Sequence, residues 1–439
     1  MTHTLIYPHT TVHNAAGHLE IGGCDVVDLA HELGTPLFIY DEQTLRDQCR
    51  AYRSAFGART DAYEIVYASK AFSCRAMCEL VAQEGLSLDV ATGGELAAAR
   101  LAGFAPEHIY FHGNNKSPAE IELGLDVGIG QFVVDSFEEI ERLDAAARAR
   151  GRRQPVLVRL TPGVRPDTHG FVQTGQQDSK FGFGLVDTRA DEAVRRLQDA
   201  ANLELVGVHA HIGSQIFDLS SYRREVEVLF DALARWRRDL GFECFVFNMG
   251  GGLGIRYTPA DQPSSISEFA EVSVTAVLGE AERHGLRRPR ILVEPGRSIA
   301  GKAAVTAYTV GTIKVIPDVR TYVAVDGGMS DNLRPMLYDS RYEAMIANKV
   351  ELEPSALVTV VGKHCESGDV LVRDVRITPP EPGDILVTPS TGAYGYAMAN
   401  NYNSQPRPAV AMVRDGQARI VIERETWDDV LRLQRPLRQ

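Results

Sequence analysis

Three short segments of the sequence carry side chains that can do covalent or acid–base chemistry. Lys70 lies in the segment YASKA at residues 67–71, and a glycine-rich segment, MGGGLG, occupies residues 249–254. Glu294 begins the segment EPGR at residues 294–297. A desolvated lysine amine is a covalent catalyst for carbonyl groups, and bare glycine backbone lets several N–H groups approach one phosphate. An isolated lysine at the end of a strand is more often a residue that only reaches to solvent, so the meaning of Lys70 depends on the elements that position it.

The chain between residues 60 and 300 alternates short β-rich segments with helical ones. Eight strands are predicted, at residues 64–70, 86–92, 108–114, 131–136, 156–160, 205–214, 245–251 and 291–297. Several are nearly continuous apolar runs, which is typical of strands buried on both faces. Eight successive strand–helix units predict an α/β chain built on a (β/α)8 barrel of the TIM type. A doubly wound open sheet is the alternative, although it rarely needs eight consecutive units.

Capping residues mark where helices begin between these strands. Ser117 with Glu120, and Ser136 with Glu139, have the spacing of a capping box, in which each side chain binds the backbone N–H of the other residue. Ser73 is predicted to cap the helix that follows the first strand.

The two ends of the chain have a different pattern from the middle. After residue 300, β-rich segments are separated by Gly, Pro and Asp with little helix between them, at residues 321–328, 356–362, 370–377, 384–390, 409–416 and 418–425. The first 42 residues look similar. The sequence therefore predicts a discontinuous β-rich domain formed by residues 1–42 and 300–439, with the barrel of residues 43–299 inserted into it.

Two polar segments do not fit these patterns. Residues 161–184 are long, polar and glycine-rich, and a loop of that length inside a compact domain is usually functional or mobile. Residues 330–349 are predicted to form a short helix or a loop.

The candidate chemical groups fall at strand ends, where the active sites of such barrels are built. Lys70 ends the first predicted strand, residues 249–254 follow the seventh, and Glu294 ends the eighth. The loops after strands seven and eight are the recurrent phosphate site of this fold, and no Lys-Ser or Lys-Thr pair follows the glycines as it would in a nucleotide-binding P-loop. With a lysine across the barrel mouth, these loops predict pyridoxal 5′-phosphate, a phosphorylated aldehyde held as a Schiff base. Glu294 is suited to pair with its ring nitrogen.

Two histidines of the sixth predicted strand, His209 and His211, have the spacing that places side chains on one face of a strand. We expect them to face the barrel interior, where one can pack on the cofactor ring. The alternatives are two buried, hydrogen-bonded imidazoles or a pair of metal ligands. A metal site would need a further carboxylate or histidine nearby, and we predict no metal.

Composition and charge exclude several classes of function. The 46 Lys and Arg residues against 58 Asp and Glu give a formal charge of −12, which disfavours nucleic acid or an anionic membrane as a partner. No apolar run is long enough to cross a bilayer, and the first residues do not have the pattern of a secretory signal. The six scattered cysteines are typical of free thiols in a reducing compartment. We therefore expect a folded protein of the cytoplasm.

These residues stand in motifs that closely resemble those of the diaminopimelate decarboxylases of the alanine-racemase-like (fold type III) group. The motifs are YASKA (67–71), DVATGGEL (89–96), HGNNKS (112–117), THGFVQTG (168–175), DSKFGFG (178–184), HAHIGSQ (209–215), NMGGGLGI (248–255), EPGRS (294–298), GKHCESGD (362–369) and TGAYGYAMANNYN (391–403). Their order and spacing along most of the chain make the resemblance specific. It implies decarboxylation of meso-2,6-diaminopimelate to L-lysine and carbon dioxide, the last step of lysine biosynthesis.

The resemblance also implies the role of each site residue. Lys70 is expected to form the Schiff base, and Cys365 to return a proton to the α-carbon. The residues implied in binding the cofactor are Lys70, His211, Ser214, Gly251, Gly252, Glu294, Pro295, Gly296, Arg297 and Tyr394. Those implied in binding the substrate are Arg297, Arg334, Tyr338, Glu366 and Tyr394. Cys365 and Glu366 come from the partner subunit in this family, so we expect a homodimer with shared active sites.

The choice of substrate depends on its distal end. Arg297 and Arg334 suit the distal carboxylate of diaminopimelate, because an arginine can bind a carboxylate through two hydrogen bonds. A decarboxylase of another basic amino acid or of a siderophore precursor is the alternative within the same fold. Two further possibilities are a racemase that uses the same Schiff base and a cofactor-binding protein without catalysis. The presence of Lys70, Glu294, Cys365 and Glu366 argues against the last of these.

Overall fold

The computed structural model describes residues 5–164 and 179–437 of the chain. Its backbone divides into two compact units. The terminal unit comprises Met1–Asp47, Ile255–Asp261 and Ile299–Gln439, and the barrel unit comprises Gln48–Gly254 and Gln262–Ser298. The domain limits drawn from the sequence, after residues 42 and 299, stay predictions.

The chain begins with short strands and two helices. In order they are β1 (Val12–His13), β2 (Leu19–Ile21), β3 (Cys24–Asp25), α1 (Val26–Leu33), β4 (Leu37–Asp41) and α2 (Glu42–Gly57). The first three strands form a small antiparallel sheet. The carboxylate of Asp25 accepts hydrogen bonds from the backbone N–H groups of Val27 and Asp28, so it caps the first turn of α1.

The predicted barrel is confirmed. Its strands are β5 (Tyr63–Ala68), β6 (Ser87–Val90), β7 (Ile109–Phe111), β8 (Gln131–Val134), β9 (Gln154–Thr161), β11 (Leu203–Ala210), β12 (Val246–Asn248) and β13 (Arg290–Val293), with β10 (Phe183–Gly184) as a short addition beside β9. The intervening helices are α3 (Arg75–Gln83), α4 (Gly93–Leu101), α5 (Pro118–Val127), α6 (Phe137–Ala149), α7 (Arg189–Asp199), α8 (Ser220–Leu240) and α9 (Ile266–Arg283). All neighbouring strands are parallel, and β13 pairs with β5 to close the ring.

Apolar side chains from six barrel strands pack together inside the ring. They are Val66, Tyr110, Val133, Leu157, Val246 and Leu292. This filled interior leaves the strand ends as the place where polar side chains can collect.

The predicted helix starts are correct at two serines and wrong at a third. Ser117 and Glu120 form the complete capping box at α5. Ser136 caps α6, but Glu139 accepts from the backbone N–H of Asp135 instead of completing the box, and its other oxygen pairs with the buried Lys116 ammonium at 2.6 Å.

Ser73 does not cap α3, in contrast to the prediction. Cys74 takes the capping position, and its Sγ accepts from the backbone N–H of Met77 at 3.4 Å. The helix therefore begins one residue later than a cap at Ser73 would allow.

The C-terminal part of the chain is β-rich, as predicted. Its elements are α10 (Arg297–Ala300), β14 (Ala304–Ile316), β15 (Arg320–Val325), α11 (Arg334–Tyr338), β16 (Met345–Ile346), β17 (Ala356–Val361), β18 (Val370–Ile377), β19 (Ile385–Pro389), β20 (Ala409–Arg414), β21 (Gln417–Ile422) and α12 (Trp427–Leu431). The strand order β18-β17-β15-β14-β4-β20-β21 incorporates β4 from the N-terminus, so both ends of the chain build one sheet. Strand β14 was not among the predicted strands, because its alternation is weakened by alanines and by Gly311.

Within the part of the chain that the structure describes, no helix combines the length and apolarity that a membrane span requires.

Helix α8 buries a carboxyl group for which residues 5–164 and 179–437 offer no hydrogen-bond partner. Glu225 is fully buried, and neither carboxyl oxygen is bonded within those residues. Burial raises the pKa of Glu225 well above its usual range. The folded protein therefore keeps a proton on Glu225 that the unfolded chain loses above about pH 4.3.

Replacing Glu225 with methionine is expected to stabilise the protein. Since the unfolded state releases this proton as pH rises, Glu225 lowers the stability progressively above pH 4–5. Glu225→Met should raise the free energy of unfolding by about 1–3 kcal/mol at pH 7.5, because an unpaired polar group leaves the interior. Urea denaturation at several pH values measures this. Glu227→Gln, on the same helix and paired with Arg224, is the control, and a destabilised Glu225→Met would contradict the prediction.

Candidate active site

The lysine predicted to be chemically active lies directly beyond the first barrel strand. Lys70 is exposed in a 3₁₀ turn, Ser69–Ala71, that follows β5. The Ser69 hydroxyl donates to the carbonyl of Asp89 and fixes this turn against β6. The charge of Lys70 acts on Asp89, Glu95 and His211, so its ammonium lies within electrostatic reach of these three groups.

The loop after β13 packs against the lysine turn. The carbonyl of Pro295 accepts from the backbone N–H of Ala68 at 3.1 Å. A Cβ at Gly296 would lie 3.0 Å from the side chains of both Ala68 and Ala71. The strand ends that carry Lys70 and Glu294 are therefore held side by side.

Glu294 lies buried at the centre of the strand ends. Its Oε1 accepts from Asn248 Nδ2 at 2.7 Å, and its Oε2 lies 3.2 Å from His209 Nε2. His112 Nε2 lies 2.9 Å from Oε1 as an ion pair without an aligned hydrogen bond. Burial would raise the pKa of Glu294, but the two histidines hold it well below its usual value. The side chain is thus an anion fixed by three neighbours.

The two histidines beside Glu294 differ in charge. Burial lowers the pKa of His112, but the charges of Glu294 and Asp89 outweigh this and raise it above the usual value. Burial lowers the pKa of His209 to about 4 against the pull of Glu294, so this ring is neutral. The ligand atoms of His112, His209 and Glu294 lie within 4.8 Å of one another. A metal ligand must be a neutral imidazole, so the charge of His112 favours an ion pair.

Asp89 and Arg159 extend this cluster along the inner face of the barrel. Burial and the charge of Glu294 raise the pKa of Asp89, while His112 opposes them. Arg159 Nη1 lies 3.5 Å from Asp135 Oδ2, and its guanidinium lies 4.3 Å over the ring of Phe181.

Sequence analysis missed four polar side chains of this cluster. Asp89, Arg159 and Asn248 interrupt apolar strands, and His112 follows β7 directly. The available signal was a polar residue inside or directly after an apolar barrel strand. Such a side chain has to lie at the strand ends or in the barrel interior, which makes it a candidate site residue.

His211 lies just beyond β11, half-buried, rather than within the strand beside His209. Its Nδ1 accepts from the backbone N–H of Gly251 at 3.3 Å. Burial and the charges of Lys70 and Arg159 lower the pKa of His211 well below its usual value. The neutral ring stands between the lysine turn and the glycine loop.

The glycine-rich loop after β12 forms a tight backbone cradle. A Cβ at Gly251 would lie 2.1 Å from the carbonyl oxygen of Glu294, and one at Gly252 would lie 2.3 Å from that of Gly213. Gly252 also has a φ of +114°, which disfavours any side chain. The buried Tyr222 hydroxyl donates to the carbonyl of Gly251 at 3.2 Å and supports the loop from α8.

Arg297 and Ser214 meet at the same end of the barrel. The buried guanidinium of Arg297 donates to Ser214 Oγ at 2.9 Å from Nη2 and at 3.3 Å from Nε. In the barrel unit, Arg297 thus contacts Ser214, another residue predicted to bind the cofactor. A cation, a hydroxyl and a glycine cradle suit a phosphate group, an anionic carboxylate suits a ring nitrogen, and an exposed amine suits an aldehyde. The residues therefore fit pyridoxal phosphate.

The terminal unit contains the remaining predicted residues. Arg334 starts α11 and is buried, with its guanidinium 4.4 Å over the ring of Tyr257 and bonded to the Tyr342 hydroxyl. Among the described residues, Arg334 has no carboxylate partner. Tyr394, with a φ of +61°, acts electrostatically on Arg334, whereas Tyr338 stands at the other end of α11.

The predicted proton donor lies in a loop of the same unit. Cys365 is exposed, and its backbone N–H donates to Asn403 Oδ1 at 3.0 Å. Glu366 is partly buried and bonds through its backbone to Asp369. The motif at residues 168–175 and residues 165–178 of the long polar segment lie outside the described residues.

Fold and site together define a barrel enzyme that uses pyridoxal phosphate. The family described as "Pyridoxal-dependent decarboxylase, pyridoxal binding domain" matches residues 42–301. A diaminopimelate decarboxylase of Halalkalibacterium halodurans is 49% identical over 424 residues, which cover 97% of each chain. That of Bacillus subtilis is 47% identical over 429 residues, covering 98% of each. The chain belongs to the diaminopimelate decarboxylase family.

A solved structure agrees with this assignment. The crystal structure of diaminopimelate decarboxylase from M. jannaschii in co-complex with L-lysine matches with a TM-score of 0.91 at 32% identity. The match covers 97% of this chain and 98% of that one.

Tyr222→Phe is expected to weaken binding of pyridoxal phosphate by about 2- to 10-fold, the effect of losing one neutral hydrogen bond. The reason is that the glycine loop loses the bond from Tyr222 to the carbonyl of Gly251. Equilibrium dialysis with the apoprotein measures the dissociation constant. Pyridoxal without its phosphate is the control ligand, and an equal loss for both ligands would show that the loop does not act on the phosphate.

Proposed function

We propose that the protein decarboxylates meso-2,6-diaminopimelate to L-lysine and carbon dioxide, the last step of lysine biosynthesis, with pyridoxal 5′-phosphate as cofactor. The observation that carries the proposal is the anionic, buried Glu294 beside the exposed Lys70 at adjacent strand ends. The reaction needs an amine to hold the cofactor and an anion to keep its ring protonated, and this site provides both.

Each predicted site residue of the barrel unit has a role in this proposal. Lys70 would hold the cofactor through its aldehyde and would give way to the amine of the substrate. Glu294 keeps a proton on the ring nitrogen, and His211 packs on the ring. Ser214, Gly252 and Gly296 contact the phosphate, and Gly251, Pro295 and Arg297 also belong to the cofactor site. Tyr394 is a further residue predicted to contact the phosphate. The bound cofactor withdraws the electron pair that stays on the α-carbon when the carboxylate leaves.

Cys365 returns a proton to the α-carbon as the general acid. Its exposure at the surface of one chain supports a role in a site shared between two chains. Glu366, the next residue, binds the distal ammonium of the substrate. The active unit in this proposal is a homodimer in which each site takes Cys365 and Glu366 from the partner. All six cysteines are free thiols, which supports function in the cytoplasm.

Arg334 provides the selectivity for a substrate with a distal carboxylate. Its buried guanidinium is surrounded by tyrosines, and the described residues supply it with no carboxylate. A buried cation without an anion is costly, and the distal carboxylate of diaminopimelate provides that anion. Tyr338 and Arg297 assist in binding the substrate.

The direct test is an assay with purified protein and pyridoxal phosphate. Release of carbon dioxide and formation of L-lysine from meso-diaminopimelate are expected, with much slower turnover of ornithine, arginine or lysine. If one of these amino acids is the better substrate, the alternative decarboxylase applies. Retention of the carboxylate with inversion at the α-carbon would indicate a racemase.

Arg334→Met is expected to lower kcat/KM for meso-diaminopimelate by about 10- to 150-fold, the range for a hydrogen-bonded charged group. Turnover of lysine should be much less affected, because lysine has no distal carboxylate. Arg341→Met, an exposed arginine of the same unit, is the matched control. An equal loss for both substrates would remove Arg334 from substrate selection.

Shared active sites predict that two inactive variants restore each other. Lys70→Ala removes the lysine of a site, and Cys365→Ala removes its proton donor. If each site takes Lys70 from one chain and Cys365 from the other, a mixed dimer has one complete site and one site that lacks both residues. Co-expression of the two variants should therefore recover about a quarter of the wild-type activity, as random pairing in a symmetric dimer requires. Co-expression of Lys70→Ala with Glu294→Ala, both in the barrel unit, should recover none. Absence of recovery in the first mixture would mean that each site is built from one chain.

A further inference from the structure

Three polar side chains reach Glu294 from three different strands, but only one of them carries a charge. Asn248 at the end of β12 donates to Oε1, and His209 on β11 bonds Oε2. His112, directly after β7, lies 2.9 Å from Oε1 and is buried, with 6% of its surface exposed. Asn248 is an amide and His209 is a neutral ring, so His112 is the cation among these three contacts. Arg159 also acts on Glu294 electrostatically.

A buried carboxylate needs such a cation to stay ionised. Burial alone favours the protonated form, and a protonated Glu294 could not serve as the anion that a ring nitrogen requires. Asp89 on β6 adds to the difficulty, because two nearby carboxyl groups oppose each other's ionisation, and the charge of Glu294 raises the pKa of Asp89. The amide of Asn248 orients Glu294 but cannot offset this.

We propose that His112 is a positioning residue whose imidazolium keeps Glu294 anionic and oriented for the ring nitrogen of pyridoxal phosphate. The inference rests on the cofactor site of the proposed function. In this inference the residue after β7 sets the charge and orientation of Glu294 before the cofactor binds. Oε1 already accepts from Asn248 and faces His112, whereas Oε2 meets His209 alone among the described residues, so Oε2 has the greater remaining capacity to accept a proton donor.

The surroundings of His112 agree with a retained proton. The charged and titratable groups that face it are Glu294 after β13, Asp89 on β6, Arg159 on β9 and His209 on β11. The two carboxyl groups raise the pKa of His112, and burial and Arg159 oppose them without prevailing. The ring of His209 packs edge-on against that of His112, with the ring centres 4.8 Å apart.

The experiment measures the dissociation constant of pyridoxal phosphate from full-length apoprotein between pH 6 and pH 8.5. His112→Asn removes the cation, so Glu294 becomes protonated at the acidic end of this range. The ratio of the variant's dissociation constant to that of the wild type should then be about 10-fold larger at pH 6 than at pH 8.5, since one proton is linked to binding. Using this ratio cancels the titration of the phosphate and of Lys70.

His209→Asn is the matched control, because it removes a neutral ring from the other oxygen of Glu294. Its ratio should stay constant with pH at about 2- to 10-fold, the effect of one lost hydrogen bond. Thermal midpoints establish that the variants fold, and His112→Gln replaces His112→Asn if the latter does not. The inference would be overturned if the ratio of dissociation constants changed with pH in the same way for the His112 and His209 variants. It would also be overturned if the His112 variants bound pyridoxal phosphate as tightly as the wild type. A wild-type apoprotein that does not bind pyridoxal phosphate would overturn the proposed function itself.

Discussion

A single buried carboxylate determines how the barrel mouth is built. Glu294 can remain an anion away from water only if positive charge and hydrogen-bond donors surround it. The structure meets this requirement with side chains from β11 and β12 and from the residue after β7. Burial and the charge of Glu294 raise the pKa of the next carboxyl group, Asp89. The other polar groups at these strand ends are arranged around the negative charge of Glu294.

The two ends of the site are connected through Asn248. Its Nδ2 donates to Glu294, while its Oδ1 accepts from the backbone N–H of Gly250 at 2.9 Å. The same glycine loop is supported from outside by Tyr222 and contacts His211 through Gly251. One side chain therefore bonds both the glycine loop and the carboxylate, so the loop helps to orient Glu294 as well as forming the backbone cradle.

The sequence was sufficient to predict the barrel and several of its chemical groups, because periodicity and glycine patterns depend on neighbouring residues. Lys70, Glu294 and the glycine segment were found since they lie at strand ends that the pattern defines. His112 and Arg159 were not found, because their partners come from strands distant in sequence. Their local signal, a polar residue inside or directly after an apolar strand, does not show which groups they meet. The start of α3 was also predicted one residue too early. Cys74, and not Ser73, caps this helix, and the type of residue at position 73 does not reveal which of the two has the capping backbone conformation. Which side chains neutralise each other is decided by the closed ring, and no local pattern encodes it.

Strand β4 is translated early, but the strands with which it pairs are translated late. Its five residues, Leu37–Asp41, are all buried, and their hydrogen-bonding neighbours are β14 on one side and β20 on the other. The ribosome makes the whole barrel before either neighbour exists, and β20 follows β4 by more than 360 residues along the chain. Throughout that interval an apolar segment with two unsatisfied edges is available for wrong pairing. The nascent chain therefore has to shield β4 until its C-terminal strands emerge, which makes truncated products of this chain prone to aggregate.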